Sequence, residues 1–397
     1  MATAALVGCS ANSTKAAGLR VVVVGAGIVG ASIAYQLSKR GVSVTVIDEQ
    51  GPASHASRAT FAWINASWAK QPRHYHSLTQ DSIASWRGLQ QTLRLPIRWG
   101  GSLEWYEKPV RQERLKAQIA EQIEWGERAR ILSRAELAQL EPNVEFGNAR
   151  NVAFSENDGA IDPVIATDLL LKAAQKLGAT VQYPCTLNDV GMASGNVTYA
   201  DTSRGRITAD KVVLATGAAP DAGLRFAESA IPQRSTPGII AVTQPMPRML
   251  NRILVAPGIH MHQRDDGRFV LGEQEGAPQN EAHAMRLEGR PNNFPARVLA
   301  QEHAARMIAI AERFLPGIGA AKQQDAYIGW RPLPLDGHPV LGASAARPDV
   351  YLAVMHSGVS LAPIVGQLVA HELTEGVVLS QLDEYRPGRN FEQIKRY

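Results

Sequence analysis

Val21-Val-Val-Val24 runs straight into Gly25-Ala-Gly27-Ile-Val-Gly30, and a second strand-like run from Val42 to Ile47 ends on Asp48. A continuous β-branched run is what a parallel strand needs when both its faces are covered. The three glycines then have separate tasks. Gly25 permits a tight turn, Gly27 lets backbone approach a pyrophosphate, and Gly30 lets the next helix pack close to the strand. That helix, predicted from Ile28 to about Lys39, turns the amides of Ile28 and Val29 and the positive end of its dipole toward the phosphates. Asp48 lies close to the ~20 residues beyond the first glycine expected for an acid that takes ribose hydroxyls, with Glu49 beside it. Strand, turn, helix, strand and terminal acid together predict a dinucleotide site. The plainer alternative is a βαβ unit with no ligand.

With 397 residues the chain is too long for one compact core, which predicts two domains. A 45% hydrophobic and 20% charged composition is that of a globular protein, and the net charge of +4 is small and scattered. No basic patch points to nucleic acid. The two cysteines, Cys9 and Cys185, have no spacing for a metal or redox pair, so no metal is expected, and their scarcity fits a reducing cytoplasm. Residues 1–18 lack the basic start and apolar core of a signal peptide and read as a loose tail. No apolar run approaches the ~20 residues that span a bilayer.

The nucleotide-binding pattern returns twice. Asp162-Pro163 starts a helix with apolar positions Val164, Leu169, Leu170, Ala173 and Leu177, closed by Gly178, and Ala179 to Tyr183 reads as a strand. Lys211-Val-Val-Leu-Ala-Thr216-Gly217 is another buried strand meeting a small-residue turn. Near the end, a strand from Asp349 to Val354 precedes His356-Ser-Gly-Val-Ser360 and a helix from about Ala362 to Leu373. Between these pieces, residues 72–140 hold amphipathic helices, one with Trp86, Leu89 and Leu93 inward and another with Leu115, Ile119 and Ile123. Residues 231–272 alternate as antiparallel strands, with Asp266-Gly267 turning His260–Gln263 into Arg268–Leu271. The expected fold is α/β: a Rossmann-like domain from 19–71, 150–225 and 326–397, interleaved with an α+β domain from 72–149 and 226–325 that carries a large antiparallel sheet.

This arrangement resembles the D-amino acid oxidase superfamily of FAD-dependent oxidoreductases, which includes glycine oxidase, sarcosine oxidase and D-amino acid dehydrogenase. The resemblance rests on VVVVGAGIVGASIAYQLSKRGVSVTVIDE at 21–49, SRAELAQLEP at 133–142, GAIDP at 159–163, KVVLATGAA at 211–219, GWRPLPLDGHPVLG at 329–342 and HSGVSLAP at 356–363. It implies FAD as cofactor and a substrate domain whose sheet roofs the isoalloxazine ring. It also implies cofactor contacts from Gly25, Gly27, Ile28, Val29, Gly30, Asp48 and Glu49, and from Ser57, Arg58, Ala59 and Thr60 running past the pyrophosphate and ribityl chain. Thr216, Gly217 and Arg331 complete one side. The turn of His356, Ser357, Gly358, Val359 and Ser360 would meet the flavin's pyrimidine edge, where negative charge collects on reduction. Arg58 would help with phosphate charge or else be a surface arginine.

The implied reaction passes hydride from the α C–H of an amino acid or amine to flavin N5 and leaves an imine that water hydrolyses. Oxygen or another acceptor would then take the electrons. An amino acid carboxylate needs a fixed cation, and arginine's two-pronged donor suits it. Arg331 sits where family members carry that arginine; the alternative is a partner for a buried acid such as Asp336. His260 and His262, two apart on a strand, share a face and are candidates to touch substrate, unless that face is the outer one. Trp63, Trp99, Trp105 and Tyr106 are cavity-wall candidates, though aromatics at such spacings usually build core. The cysteine through which sarcosine oxidase holds its flavin is missing from 329–333, so non-covalent FAD is expected, with attachment through His55 the other route. Met355 replaces a glycine common in the closing motif. A flavin-dependent 2-hydroxy acid oxidase, a flavin-binding subunit of a heteromeric dehydrogenase and an NAD-dependent dehydrogenase are the competing functions.

Overall fold

The structure is a computed structural model that describes residues 18–67, 70–219, 221–273 and 289–393. Most of the N-terminal tail, with Cys9, lies outside them; Cys185 is buried.

The valine run forms Arg20–Val24, the central strand of a six-stranded sheet ordered 340–343, 350–354, 211–214, 20–24, 43–47, 180–182. All neighbours are parallel except the antiparallel edge strand Val340–Ala343. Three stretches distant in sequence therefore build one sheet. Helix Ile28–Lys39 is buried along most of its length, because the sheet covers one side and helices Pro163–Lys176 and Gly358–Glu375 cover others. Asp162 caps Pro163–Lys176 as its sequence suggests, its carboxylate accepting from the amides of Val164 and Ile165.

The other large sheet has eight strands, ordered 323–334, 233–243, 269–273, 259–263, 253–256, 102–104, 153–155, 129–131. It is antiparallel apart from the pairing of 253–256 with 102–104. Strand Ala153–Ser155 and the whole of Gln323–Pro334 belong to this sheet, although the sequence put 150–155 and 326–334 with the nucleotide-binding segments. Helix Arg297–Glu312 packs on it.

Two apolar positions read from periodicity are exposed. Ile123 is 48% exposed, since the inward stripe of helix Pro109–Glu124 is Gln112, Leu115, Ile119 and Gln122. Leu177 is 50% exposed at the C-cap of its helix.

The last helix begins at Gly358, about four residues before its sequence suggests. Pro363 is of a residue type favoured in the first turn of a helix. Here it lies inside the helix and has no N–H for the carbonyl of Val359. The indole Nε1 of Trp86 donates to that oxygen instead, at 2.9 Å. Ser82 Oγ likewise donates to the Ser360 carbonyl at 2.6 Å, so helix Arg73–Leu93 grips the first turn of the last one.

Candidate active site

Gly25 has φ +108°, in the left-handed region, and a Cβ there would collide with the carbonyl oxygen of Ala215. A Cβ on Gly30 would strike the Gly25 carbonyl, so turn and helix are in direct contact. Gly27 is the N-cap but supplies no side-chain cap, and the Ile28 amide donates to Ser57 Oγ at 3.0 Å. Asp48 is fastened at the mouth of the turn: one oxygen accepts from the Ala26 amide (2.8 Å), the other from Gln50 and Gly51 (2.9 and 2.7 Å). Glu49 stays exposed and lies 3.2 Å from His55 Nε2, while His55 Nδ1 meets Asn292 Nδ2 at 2.6 Å. Thr216 and Gly217 follow strand Lys211–Leu214 at the same end of the sheet.

A second helix start meets the first. A Cβ on Gly358 would lie 3.2 Å from Val29 Cγ2 and 3.8 Å from Ile28 Cγ2. Two positive helix ends thus converge on one spot, where a bound anion is favoured. The His356–Ser360 turn is held from below: Ser357 Oγ accepts from Lys70 Nζ and Tyr75 Oη, both at 3.0 Å, and Ser360 Oγ donates to the Trp63 carbonyl at 3.0 Å. Met355 is buried in the core beneath it. A glycine turn that tolerates no Cβ, an N-terminus without its own side-chain cap and a second helix end beside it fit a dinucleotide with a pyrophosphate.

The loop between nucleotide strand and sheet splits its side chains. Ser57 faces the helix N-terminus, whereas the Arg58 guanidinium lies 5.7 Å from the centroid of the Tyr327 ring. Ala59 presses on the eight-stranded sheet, its Cβ 2.8 Å from where a Cβ on Gly329 would be. Thr60 Oγ1 accepts from the Ala62 amide at 3.2 Å.

Register places the remaining candidates on one face of that sheet. Tyr327 pairs with Ile240, Ile240 with Gly272, Gly272 with His260, and His260 with Val255. Residues two apart share a face, so Tyr327, Gly329 and Arg331 lie on the side that bears His260 and His262. Both histidines pack on Phe61, with ring centroids at 5.5 and 5.0 Å, so their face is the inner one. The Arg331 side chain lies over Gly238, where a Cβ would be 2.8 Å from Nη2 and 3.0 Å from Cζ. Burial, and then the nearby Arg331 charge, push His260 down to about 3. Burial also pushes His262, whose Nε2 lies 3.1 Å from the Phe61 carbonyl, down to about 3. Both are therefore neutral at ordinary pH; Arg331 is the positive group beside His260, and Arg264 and Arg98 are those beside His262. The acid proposed as its alternative partner is taken: Asp336 receives Arg389 Nε at 2.7 Å and Nη2 at 3.1 Å.

Of the four aromatics, Trp63 reaches this face, 6.3 Å from His260. Trp105 is core against Phe146 and Phe314, Tyr106 is buried with Leu115 and Ile119, and Trp99 carries Arg87 over its ring. Three further residues escaped sequence reading. Phe61 lines the histidine face, and Lys70, 6% exposed, braces the Ser357 turn. Asp158, fully buried, accepts on one oxygen from Trp63 Nε1, Ser67 Oγ and Ser102 Oγ at 2.9, 2.8 and 2.6 Å. Its place just before the Gly159–Pro163 motif was the available signal. Burial raises Asp158 to about 7 and Glu104, on the same sheet face, to about 8. Among the described residues no group of three or more metal-ligating side chains occurs, and no helix is long and apolar enough to cross a membrane.

Residues 20–372 match the family model described as FAD dependent oxidoreductase. The glycine oxidase of Geobacillus kaustophilus is 25% identical over 363 residues, covering 88% of this chain and 91% of that protein. An opine oxidase subunit of Agrobacterium tumefaciens is 24% identical, covering 92% of this chain and 96% of its own. Among solved structures, that of the Geobacillus kaustophilus glycine oxidase superposes with a TM-score of 0.82 at 22% identity, over 94% of this chain and all of the other. A match over most of the chain, on a sheet, glycine turn and paired helix ends that suit a dinucleotide, makes FAD the cofactor and places the chain in the D-amino acid oxidase family of FAD-dependent oxidoreductases.

Proposed function

We propose that the protein oxidises an amino acid or secondary amine at the carbon bearing nitrogen, giving an imine that hydrolyses to an oxo acid or aldehyde and an amine. The observation that carries this reading is Arg331, seated over Gly238 beside the neutral His260, with Asp336 already held by Arg389. The residue sets of the two sheets correspond to a flavin-binding and a substrate-binding unit. FAD supplies a two-electron acceptor for the hydride of the α C–H, bound without a covalent link. Gly25, Gly27, Gly30, Asp48, Ser57 and the His356–Ser360 turn hold it.

Arg331 grips the substrate carboxylate through paired charge-assisted hydrogen bonds and fixes which C–H bond is presented. His260 and His262, being neutral, contribute hydrogen bonding and shape. They add no charge of their own against a substrate ammonium. Phe61 and Trp63 exclude water from the same face. Relatives named for glycine oxidation and opine oxidation support an amine substrate bearing a carboxylate.

The test is anaerobic loss of yellow flavin absorbance with D- and L-amino acids, N-methyl amino acids and 2-hydroxy acids. An amine should bleach the flavin, and Arg331→Met should raise its apparent Michaelis constant much more than it lowers FAD content. Bleaching by hydroxy acids alone would overturn the proposal, and an unchanged constant would remove Arg331 from it.

A further inference from the structure

The turn at 356–360 is fixed by neutral hydrogen bonds before any charge is counted. Trp86 Nε1 donates to the Val359 carbonyl at 2.9 Å, Ser82 Oγ to the Ser360 carbonyl at 2.6 Å, and Ser360 Oγ to the Trp63 carbonyl at 3.0 Å. Tyr75 Oη donates to Ser357 Oγ at 3.0 Å. Lys70 brings an ammonium to that same oxygen, also at 3.0 Å, and its Nζ lies 5.3 Å from the centroid of the Tyr75 ring. Lys70 is buried, and taking a lysine charge out of water is costly. A neutral donor would brace the turn as well. The charge therefore calls for a reason other than bracing.

A hydroxyl has two lone pairs and one hydrogen. With Lys70 and Tyr75 on the lone pairs, the hydrogen of Ser357 points away from both, and a donor polarised by an ammonium is a stronger one. Ser357 precedes Gly358, where a Cβ would lie 3.2 Å from Val29 Cγ2, so this hydroxyl stands where the two helix ends converge. His76, which feels the Lys70 charge, is held below the usual histidine range, by burial first, and adds no charge of its own there.

Resting on the proposed seating of FAD at this turn, we infer that Lys70 is a positioning residue that acts through Ser357 to make the bound coenzyme a stronger electron acceptor. Reduction gathers negative charge at the flavin's pyrimidine edge, and a buried cation one hydroxyl away favours the reduced form over the oxidised one. The two cations then divide the work. Arg331 sets which substrate is held, and Lys70 sets how readily its electrons are taken.

The experiment reduces the FAD-loaded protein stepwise, without oxygen or substrate, beside a reference dye, and reads its midpoint potential. Lys70→Met should lower the reduced-to-oxidised ratio at a fixed potential at least tenfold, which is about 30 mV for a two-electron couple. Lys70→Gln, a polar replacement in case methionine prevents folding, should do the same. Tyr75→Phe removes a neutral donor from the same oxygen and should shift the ratio less than threefold. With an amine that bleaches the flavin, Lys70→Met should lower the limiting rate and leave the apparent Michaelis constant within twofold. Equal shifts in Lys70→Met and Tyr75→Phe would reduce Lys70 to a brace, and an unmoved potential in Lys70→Met would likewise overturn the inference. If Ser357→Ala then leaves both potential and FAD affinity unmoved, the seating of FAD at the turn fails too; if it moves either, only the role of Lys70 fails. Because the potential is read without substrate, failure of every amine to bleach the flavin would sink the amine reading alone.

Discussion

Replacing Gly238 with alanine would place a methyl group 2.8 Å from Arg331 Nη2 and 3.0 Å from Cζ and Nε. Ordinary contact begins near 3.5 Å, so the guanidinium must withdraw by roughly 0.5–1 Å. Gly238 lies in regular strand, so the change acts on the guanidinium rather than on the backbone. A hydrogen bond to a charged group contributes about 1.5–3 kcal/mol, and losing one or spoiling a bidentate pair by this displacement should cost on the order of 10-fold to 100-fold in affinity. Gly238→Ala should therefore raise the Michaelis constant of a carboxylate substrate by about tenfold or more, measured by anaerobic flavin bleaching, with FAD content held near the parent's. An unchanged constant in Gly238→Ala, alongside a large rise in Arg331→Met, would show that Arg331 works from some place other than its seat over Gly238.

Two further outcomes are expected. Asp158→Asn should change how stability depends on pH. Because burial raises the folded carboxyl to about 7, the folded state keeps its proton where the unfolded chain has lost it, so this group's contribution declines as pH rises. Between about pH 5.5 and 8 the parent should lose on the order of 2 kcal/mol more than Asp158→Asn, read by urea denaturation; parallel curves would refute the assignment. Gly30→Ala forces a methyl against the Gly25 carbonyl, so FAD affinity should fall at least tenfold and the protein should lose about 1–3 kcal/mol, seen by fluorescence titration and thermal unfolding.

The nucleotide half was legible because its constraints are local. A β-branched run, a turn that admits no Cβ and an acid at fixed spacing all lie within residues 21–48; the run forms the strand, the turn follows it, and the acid accepts from the Ala26 amide of that turn. The shared face of His260 and His262 followed from strand periodicity, and the Asp162 cap from its side chain. What escaped was set by contacts between distant segments. Nothing around Arg58 says that its side chain crosses to Tyr327, and nothing around Lys70 says that it meets Ser357. The partnership of Asp336 with Arg389 joins residues 53 apart, which no local pattern could assign. Periodicity also failed at the helix end, where Ile123 is apolar but faces outward.

The indole of Trp86 takes over the bond that Pro363 cannot make, and this ties the turn proposed to hold the coenzyme to a separate helix. The opening coil of the terminal helix is anchored sideways, to another segment, as well as along its own ladder. Any sequence change that shifts Arg73–Leu93 is transmitted to the amides of residues 356–360 as a rigid tug. If that turn holds the electron acceptor as proposed, its tuning is open to substitutions on helix Arg73–Leu93.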